Sequence, residues 1–173
     1  MISRGRDTFR GECFAPMAYS MGDKQGMDAD QIMEFRDLAL LELKRAERYR
    51  NFLSLLVLNL SEFLATAGKR KINSPDAASE FVEKAVARLR AFARETDMIS
   101  RLGDARLVML LPETDPSGAR TAAGRFQKLM ADYLAEFLES DFRFEVSLEI
   151  SSFPDSTGEA SLKSRLKGLF ARN

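Results

Sequence analysis

The sequence predicts an α/β domain in which a mixed central sheet is flanked by helices, and three observations carry that prediction. Helical and strand periodicities alternate along the chain in the order helix, strand, helix, hairpin, helix, strand, helix. The apolar run FLSLLVLNL, Phe52 to Leu60, is too short for a buried helix and suits a central strand covered on both faces. Two further apolar runs meet at Gly103-Asp104, a two-residue turn that supplies an antiparallel pair, while the crossovers supply parallel ones.

Taken in order, residues 1 to 28 hold four of the ten glycines and no sustained periodicity, and are expected to form a flexible N-terminal arm. The domain is expected over 29–173. From Ile32 to Arg50 the apolar positions Phe35, Leu38, Leu41, Ala46 and Tyr49 recur at about helical spacing, behind Asp28 or Asp30 as cap. After the central strand comes a polar break, Ala67 to Pro75, with Lys69, Arg70 and Lys71 read as a solvated loop. Ser74 or Asp76 then caps a helix reaching about Arg94, with Phe81, Val82, Val86, Leu89 and Phe92 on one side. Met98 to Leu102 and Arg106 to Leu111 are the hairpin strands, stopped by Pro112. Ser117 to about Leu138 is a long helix with Ala122, Phe126, Leu129, Tyr133 and Phe137 inward. Phe142 to Phe153 alternates Phe144, Val146, Leu148 and Ile150 against Arg143, Glu145, Ser147 and Glu149, which is strand periodicity, and a helix from Ala160 to Ala171 ends the chain.

Composition removes several function classes. The 173 residues carry 26 basic and 26 acidic side chains, so no overall field draws the chain to nucleic acid or to an anionic membrane. With one cysteine, Cys13, and no histidine, neither a disulfide within the chain nor a Cys/His zinc site can form. Ser-His-Asp and Cys-His catalysis are excluded for the same reason. The longest apolar run is far short of the roughly 20 residues that span a bilayer. Residues 1 to 20 carry Arg4, Arg6, Asp7, Arg10 and Glu12 where a signal peptide needs an apolar core. A cytoplasmic location without membrane insertion is expected.

Four segments, in order, carry a resemblance: LLELKRAERYRNFLSLLVLNLSEF (40–63), RETDMISRLGDARLVMLLPET (94–114), GARTAAGRFQKL (118–129) and FEVSLEISSFP (144–154). They resemble the GGDEF family, the diguanylate cyclases that join two GTP molecules into cyclic di-GMP, over about residues 36–173. The resemblance implies a nucleotide-cyclase-like palm domain. It also marks departures. At the family's Gly-Gly-[Asp/Glu]-Glu-Phe turn stand Gly103, Asp104, Ala105, Arg106 and Leu107, and the family's metal-binding aspartate falls on Asn59, with Ser61 at the next acidic position. Two magnesium ions need anionic oxygen ligands, and Arg106 adds a repelling cation. The expectation from these positions is a degenerate domain that is not an enzyme, with no catalytic residues, no cofactor and no magnesium.

The resemblance implies a second site. Many family members carry an Arg-x-x-Asp motif five residues before the turn that binds the product, and here Arg94-Glu95-Thr96-Asp97 stands five residues before Gly103. An arginine fork can donate to guanine O6 and N7 while an aspartate accepts from N1–H and N2–H. Arg125, in the helix after the turn, matches the arginine that completes such sites from the same or a neighbouring subunit, and Arg101 is a weaker candidate for neutralising phosphate. On composition alone Arg94 and Asp97 read as a helix-end salt bridge with Asp97 capping the next turn. The expected function is a cyclic di-GMP receptor acting in signal transduction, with ligand-mediated homodimerisation and an unknown protein partner. The alternative is a protein-interaction scaffold in a bacterial signalling pathway that binds no nucleotide.

Overall fold

The computed structural model describes residues 29–67, 74–103, 105–138, 146–154 and 161–171. The expected arm, Asp104, Lys69 to Lys71 and the expected strand onset at Phe142 to Glu145 lie outside the described residues. The elements are α1 (Ala29–Tyr49), β1 (Leu53–Asn59), α2 (Ser61–Ala67), α3 (Pro75–Phe92), β2 (Met98–Leu102), β3 (Arg106–Pro112), α4 (Pro116–Leu138), β4 (Ser147–Phe153) and α5 (Leu162–Phe170).

The four strands form one sheet in the order β2-β3-β1-β4, and every pairing is antiparallel. This corrects the mixed sheet expected from the crossovers. The β1-to-β2 crossover does join strands that run the same way, but β3 lies between them. The β3-to-β4 crossover likewise straddles β1. The result is the split βαβ arrangement of a palm-like fold, in which each same-direction pair is separated by an opposed neighbour.

Helices cover both faces. On one side Leu56, Leu58, Leu107, Met109 and Leu111 pack against Phe63 of α2, Phe81, Val82, Ala85 and Leu89 of α3, and Ala123, Phe126, Met130 and Leu134 of α4. On the other, Leu53, Leu55, Val57, Val108 and Leu110 meet Phe35, Ala39, Leu43 and Ala46 of α1 and Leu162, Leu166 and Leu169 of α5. That β1 is buried on both faces explains why its sequence runs apolar without alternating. Ser54, fully buried in the strand, donates to Thr114 O at 2.8 Å and shares a 2.8 Å hydrogen bond with Ser152 Oγ. Its hydroxyl is therefore satisfied.

Three local readings need correction. Leu38, Leu41 and Tyr49 are exposed, because successive steps of three residues drift by about 60° around a helix of 3.6 residues per turn. The buried stripe is Phe35, Ala39, Leu43 and Ala46, whose steps of four and three return to one face. Phe92, at the last residue of α3, also projects outward, at 58% exposure. Helix α2 was not foreseen: SEFLATA is too short to show a helical period, and it earns its place through Phe63. Elsewhere Ser74 caps α3 by accepting from Ala77 N at 3.2 Å, with Pro75 at the helix start, whereas Asp30 lies inside α1. Pro112, expected just past the strand, is the last residue of β3, opposite Leu53.

An aromatic group ties α2, α3 and α4 together. The Phe81 ring lies 4.8 Å from Phe63, 5.1 Å from Tyr133 and 4.8 Å from Phe137, centroid to centroid. Truncation there leaves a cavity shared by three helices. Phe81→Ala is expected to cost about 3–5 kcal/mol in urea unfolding, against less than about 1 kcal/mol for the half-exposed Phe52→Ala.

Candidate functional site

The end of β1 and the hairpin turn meet as the resemblance implies. Asn59 lies directly opposite Arg106 of β3 and Ser147 of β4. Just beyond it, Leu60 N donates to Ala105 O at 2.7 Å, fastening the strand end to the turn. Asn59 Oδ1 accepts from Ser61 N at 2.9 Å, so the amide turns the chain into α2. Because Leu102 pairs with Arg106, three residues, 103 to 105, separate the strands where a two-residue turn was expected. Gly103 sits at φ 68°, a conformation glycine adopts without steric cost, and no heavy atom lies within 4 Å of where a Cβ would stand. Leu107 is fully buried in the core, so its role there is packing.

Arg101 is occupied differently from the expectation. Its Nε donates to Gly103 O at 3.0 Å and its Nη1 to Ser79 Oγ at 2.8 Å, pinning the turn to α3. The structure thus places Arg101 in the support of the hairpin, away from Arg94. Ser79 gave no signal in the sequence beyond lying in an amphipathic helix. Among the described residues, no three acidic or other metal-ligating side chains gather in one place.

Arg94 and Asp97 stand at the opposite end of β2, five residues or about 16 Å away at strand rise. Helix α3 ends where Ala93 N donates to Leu89 O at 3.0 Å and Arg90 O at 3.3 Å. A reciprocal turn follows. Asp97 N donates to Arg94 O at 3.0 Å, and Arg94 N donates to Asp97 Oδ2 at 2.8 Å. Asp97 Oδ1 is buried with no hydrogen-bond partner. The expected salt bridge is absent from this turn: Asp97 holds the backbone of Arg94, and the exposed Arg94 side chain makes no ion pair among the described residues. Arg90 Nη2, donating to Ile99 O at 3.1 Å, secures the helix to the strand on either side of the motif.

Arg125 lies on the exposed side of α4. Helices α3 and α4 cover the same sheet face and, given the strand directions, run antiparallel, so Arg125 shares a layer with Arg94 and Asp97. No hydrogen bond or ion pair joins it to either among the described residues. The structure brings Arg94 and Asp97 into one turn and leaves Arg125 on the neighbouring helix.

Residues 35–164 match the family model described as "Diguanylate cyclase, GGDEF domain". No curated protein sequence matches the chain. Among solved structures, the active GGEEF domain of a diguanylate cyclase from Vibrio cholerae is similar at 15% identity and a TM-score of 0.61, over 75% of this chain and 79% of that one. The GGDEF domain of DgcB from Caulobacter crescentus, in complex with c-di-GMP, is similar at 17% identity and a TM-score of 0.58, over 80% and 82%. Diguanylate cyclase SiaD from Pseudomonas aeruginosa, in complex with its activator SiaC, is similar at 16% identity and a TM-score of 0.58, over 80% of this chain and 51% of that one. No helix of the described residues is long and apolar enough to cross a membrane.

The expectation that this chain is not an enzyme is overturned by the family match. The match is to the cyclase domain over residues 35–164, a range that contains Asn59, Ser61 and the Gly103-to-Leu107 turn, and the fold is shared with an active domain. The identities of those residues do not take the chain out of the family. With the palm topology, the hairpin fastened to the central strand, and a match over 35–164, the chain belongs to the GGDEF family of diguanylate cyclase domains.

Proposed function

We propose that this GGDEF domain binds cyclic di-GMP at the turn formed by Arg94 and Asp97, with Arg125 of the same or a second copy as a further contact. The observation that carries the reading is the state of Asp97: one carboxylate oxygen is held by Arg94 N, and the other is buried without a partner beside an exposed arginine. A buried acceptor left unmet costs roughly 1–3 kcal/mol, so a donor that reaches it is favoured. Guanine offers that donor pair in N1–H and N2–H, while its O6 and N7 accept from an arginine fork. The family context supports the choice of base, since a domain of the same fold is known in complex with c-di-GMP.

Rigidity supports the reading as well. The motif is bounded by the Arg90 contact to Ile99 O and by the pairing of β2 with β3, so the two side chains project from a fixed turn. A guanidinium can also lie flat on a guanine face, which allows a stacked ligand to bridge Arg94 of one copy and Arg125 of another. Magnesium plays no part in this binding.

A second reading is favoured by a separate observation. Met33, Leu38 and Leu41 of α1 are 46%, 43% and 50% exposed, on the side away from the sheet. Such a face suits a protein contact and a scaffold role.

Titration calorimetry separates the two. Cyclic di-GMP is expected to bind the wild type, and Arg94→Ala to weaken binding by roughly 10- to 100-fold. Equal heats for both proteins, or none from the wild type, would favour the scaffold. Asp97→Asn keeps an acceptor for Arg94 N but sets an amide donor against the guanine donors. It is expected to lose binding while its melting temperature stays within a few degrees of wild type; unchanged affinity would remove Asp97 from the site.

A further inference from the structure

The charges on the two long helices that cover the Phe81 side of the sheet are sorted by sign. In α3 every acid, Asp76, Glu80 and Glu83, precedes every base, Lys84, Arg88 and Arg90. In α4 the order is reversed, with Arg120, Arg125 and Lys128 ahead of Asp132 and Glu136. All of these residues are exposed. Because Met98 at the start of β2 pairs with Leu110 near the end of β3, the end of α3 and the start of α4 lie at the same end of the sheet. The basic halves of the two helices are therefore side by side, and so are the acidic halves.

Helix stability does not account for this sorting. Asp76 in the first turn of α3 and Arg90 in its last suit the helix dipole, but α4 has no acid in its first turn, no base in its last, and Glu136 there instead. Placing like charges on adjacent helices adds repulsion within each half. Part of it is relieved inside the domain, where Arg88 bonds Glu136 across the helices at 2.8 Å and Lys84 bonds Glu80 within α3 at 2.9 Å. Asp76, Glu83 and Asp132 at the acidic pole make no ion pair among the described residues, and neither do Arg94, Arg125 and Lys128 at the basic pole. Three carboxylates thus stand against three cations.

We propose that this face pairs with the same face of a second copy turned end for end, so that the acidic pole of each lies on the basic pole of the other. A two-fold axis through the middle of the face satisfies both contacts at once. Equal and opposite poles single out that partner, since a polyanion that fits the basic pole is repelled by the acidic one. The size of the face sets the strength. The 18 residues of α3 extend about 27 Å, and two helices side by side are about 20 Å wide, so the face covers roughly 500 Å² on each copy. That lies near the lower limit for specific contacts, so the dimer is weak and held by complementary charge.

Sedimentation equilibrium of the full chain without nucleotide is the test. Dimer is expected in about 0.02 M NaCl, and the association constant is expected to fall tenfold or more in about 0.5 M NaCl, where screening sets in beyond about 4 Å. Glu83→Lys with Asp132→Lys makes both poles basic, and Arg125→Glu with Lys128→Glu makes both acidic. Each of these proteins alone is expected to be monomeric, and an equimolar mixture to form a heterodimer. Where a double reversal fails to fold, the single changes Glu83→Lys and Lys128→Glu are expected to weaken association separately and to restore it on mixing. A wild type that stays monomeric in low salt up to about 1 mM chain, association that salt leaves unchanged, folded charge-reversed proteins that self-associate as the wild type does, or a mixture that stays monomeric would each overturn the proposal. With no nucleotide present, failure here leaves the cyclic di-GMP reading standing, and failure of that reading leaves this one.

Discussion

Everything in this domain depends on β1 being paired along both edges and buried on both faces. Its partners are β3 and β4, and its inward residues alternate between two helical layers. A strand in that position cannot shift by one residue without sending Leu56 and Leu58 into the layer shaped for Leu55 and Val57, so its register is fixed by packing. The fixed register sets where β1 stops. It sets Asn59 against Arg106 and Ser147, and the Leu60 N to Ala105 O bond fastens the hairpin turn to that point.

The same constraint separates the molecule's two polar ends. At one, Leu60 and Arg101 spend hydrogen bonds on holding the hairpin turn, while Asn59 turns the chain into α2. At the other, α3 runs out at Phe92 and the chain must turn sharply to enter β2. Asp97 makes that turn by binding the backbone of Arg94, and the same act leaves its second oxygen without a partner. The proposed recognition therefore falls on a residue that also shapes the structure. The residue shapes the loop and, in the proposed function, also supplies the acceptor for the ligand. The proposed ligand contacts at Arg94 and Arg125 add to a scaffold that the core has already positioned.

Much of this was legible in the sequence, for reasons that differ between elements. The apolar run of β1 and the paired strands at Gly103 were plain because burial on two faces and a glycine turn leave strong local marks. The family resemblance was legible because it drew on four segments in order. The antiparallel sheet was not, since strand order is decided by packing between distant segments, and a crossover joins parallel strands whether or not they are neighbours. The stripe of α1 was misplaced because Leu38 and Leu41 are apolar yet point outward, while small Ala39 points in. At the candidate sites, residue types were readable and their commitments were not. Arg101 reads as a phosphate contact in the sequence but is bound to Gly103 O and Ser79, and the replaced turn acids suggest a chain outside the enzymes although the cyclase-domain match spans the range that contains them.

Backbone amide NMR during a titration with cyclic di-GMP tests the central claim most directly, because it reports where on the chain the ligand lands. The account predicts shifts concentrated on Arg94 to Met98 and on α4 around Arg125, with Leu60 and Ala105 unmoved. Shifts centred on the Leu60 and Ala105 amides, or no shifts at saturating ligand, would contradict it.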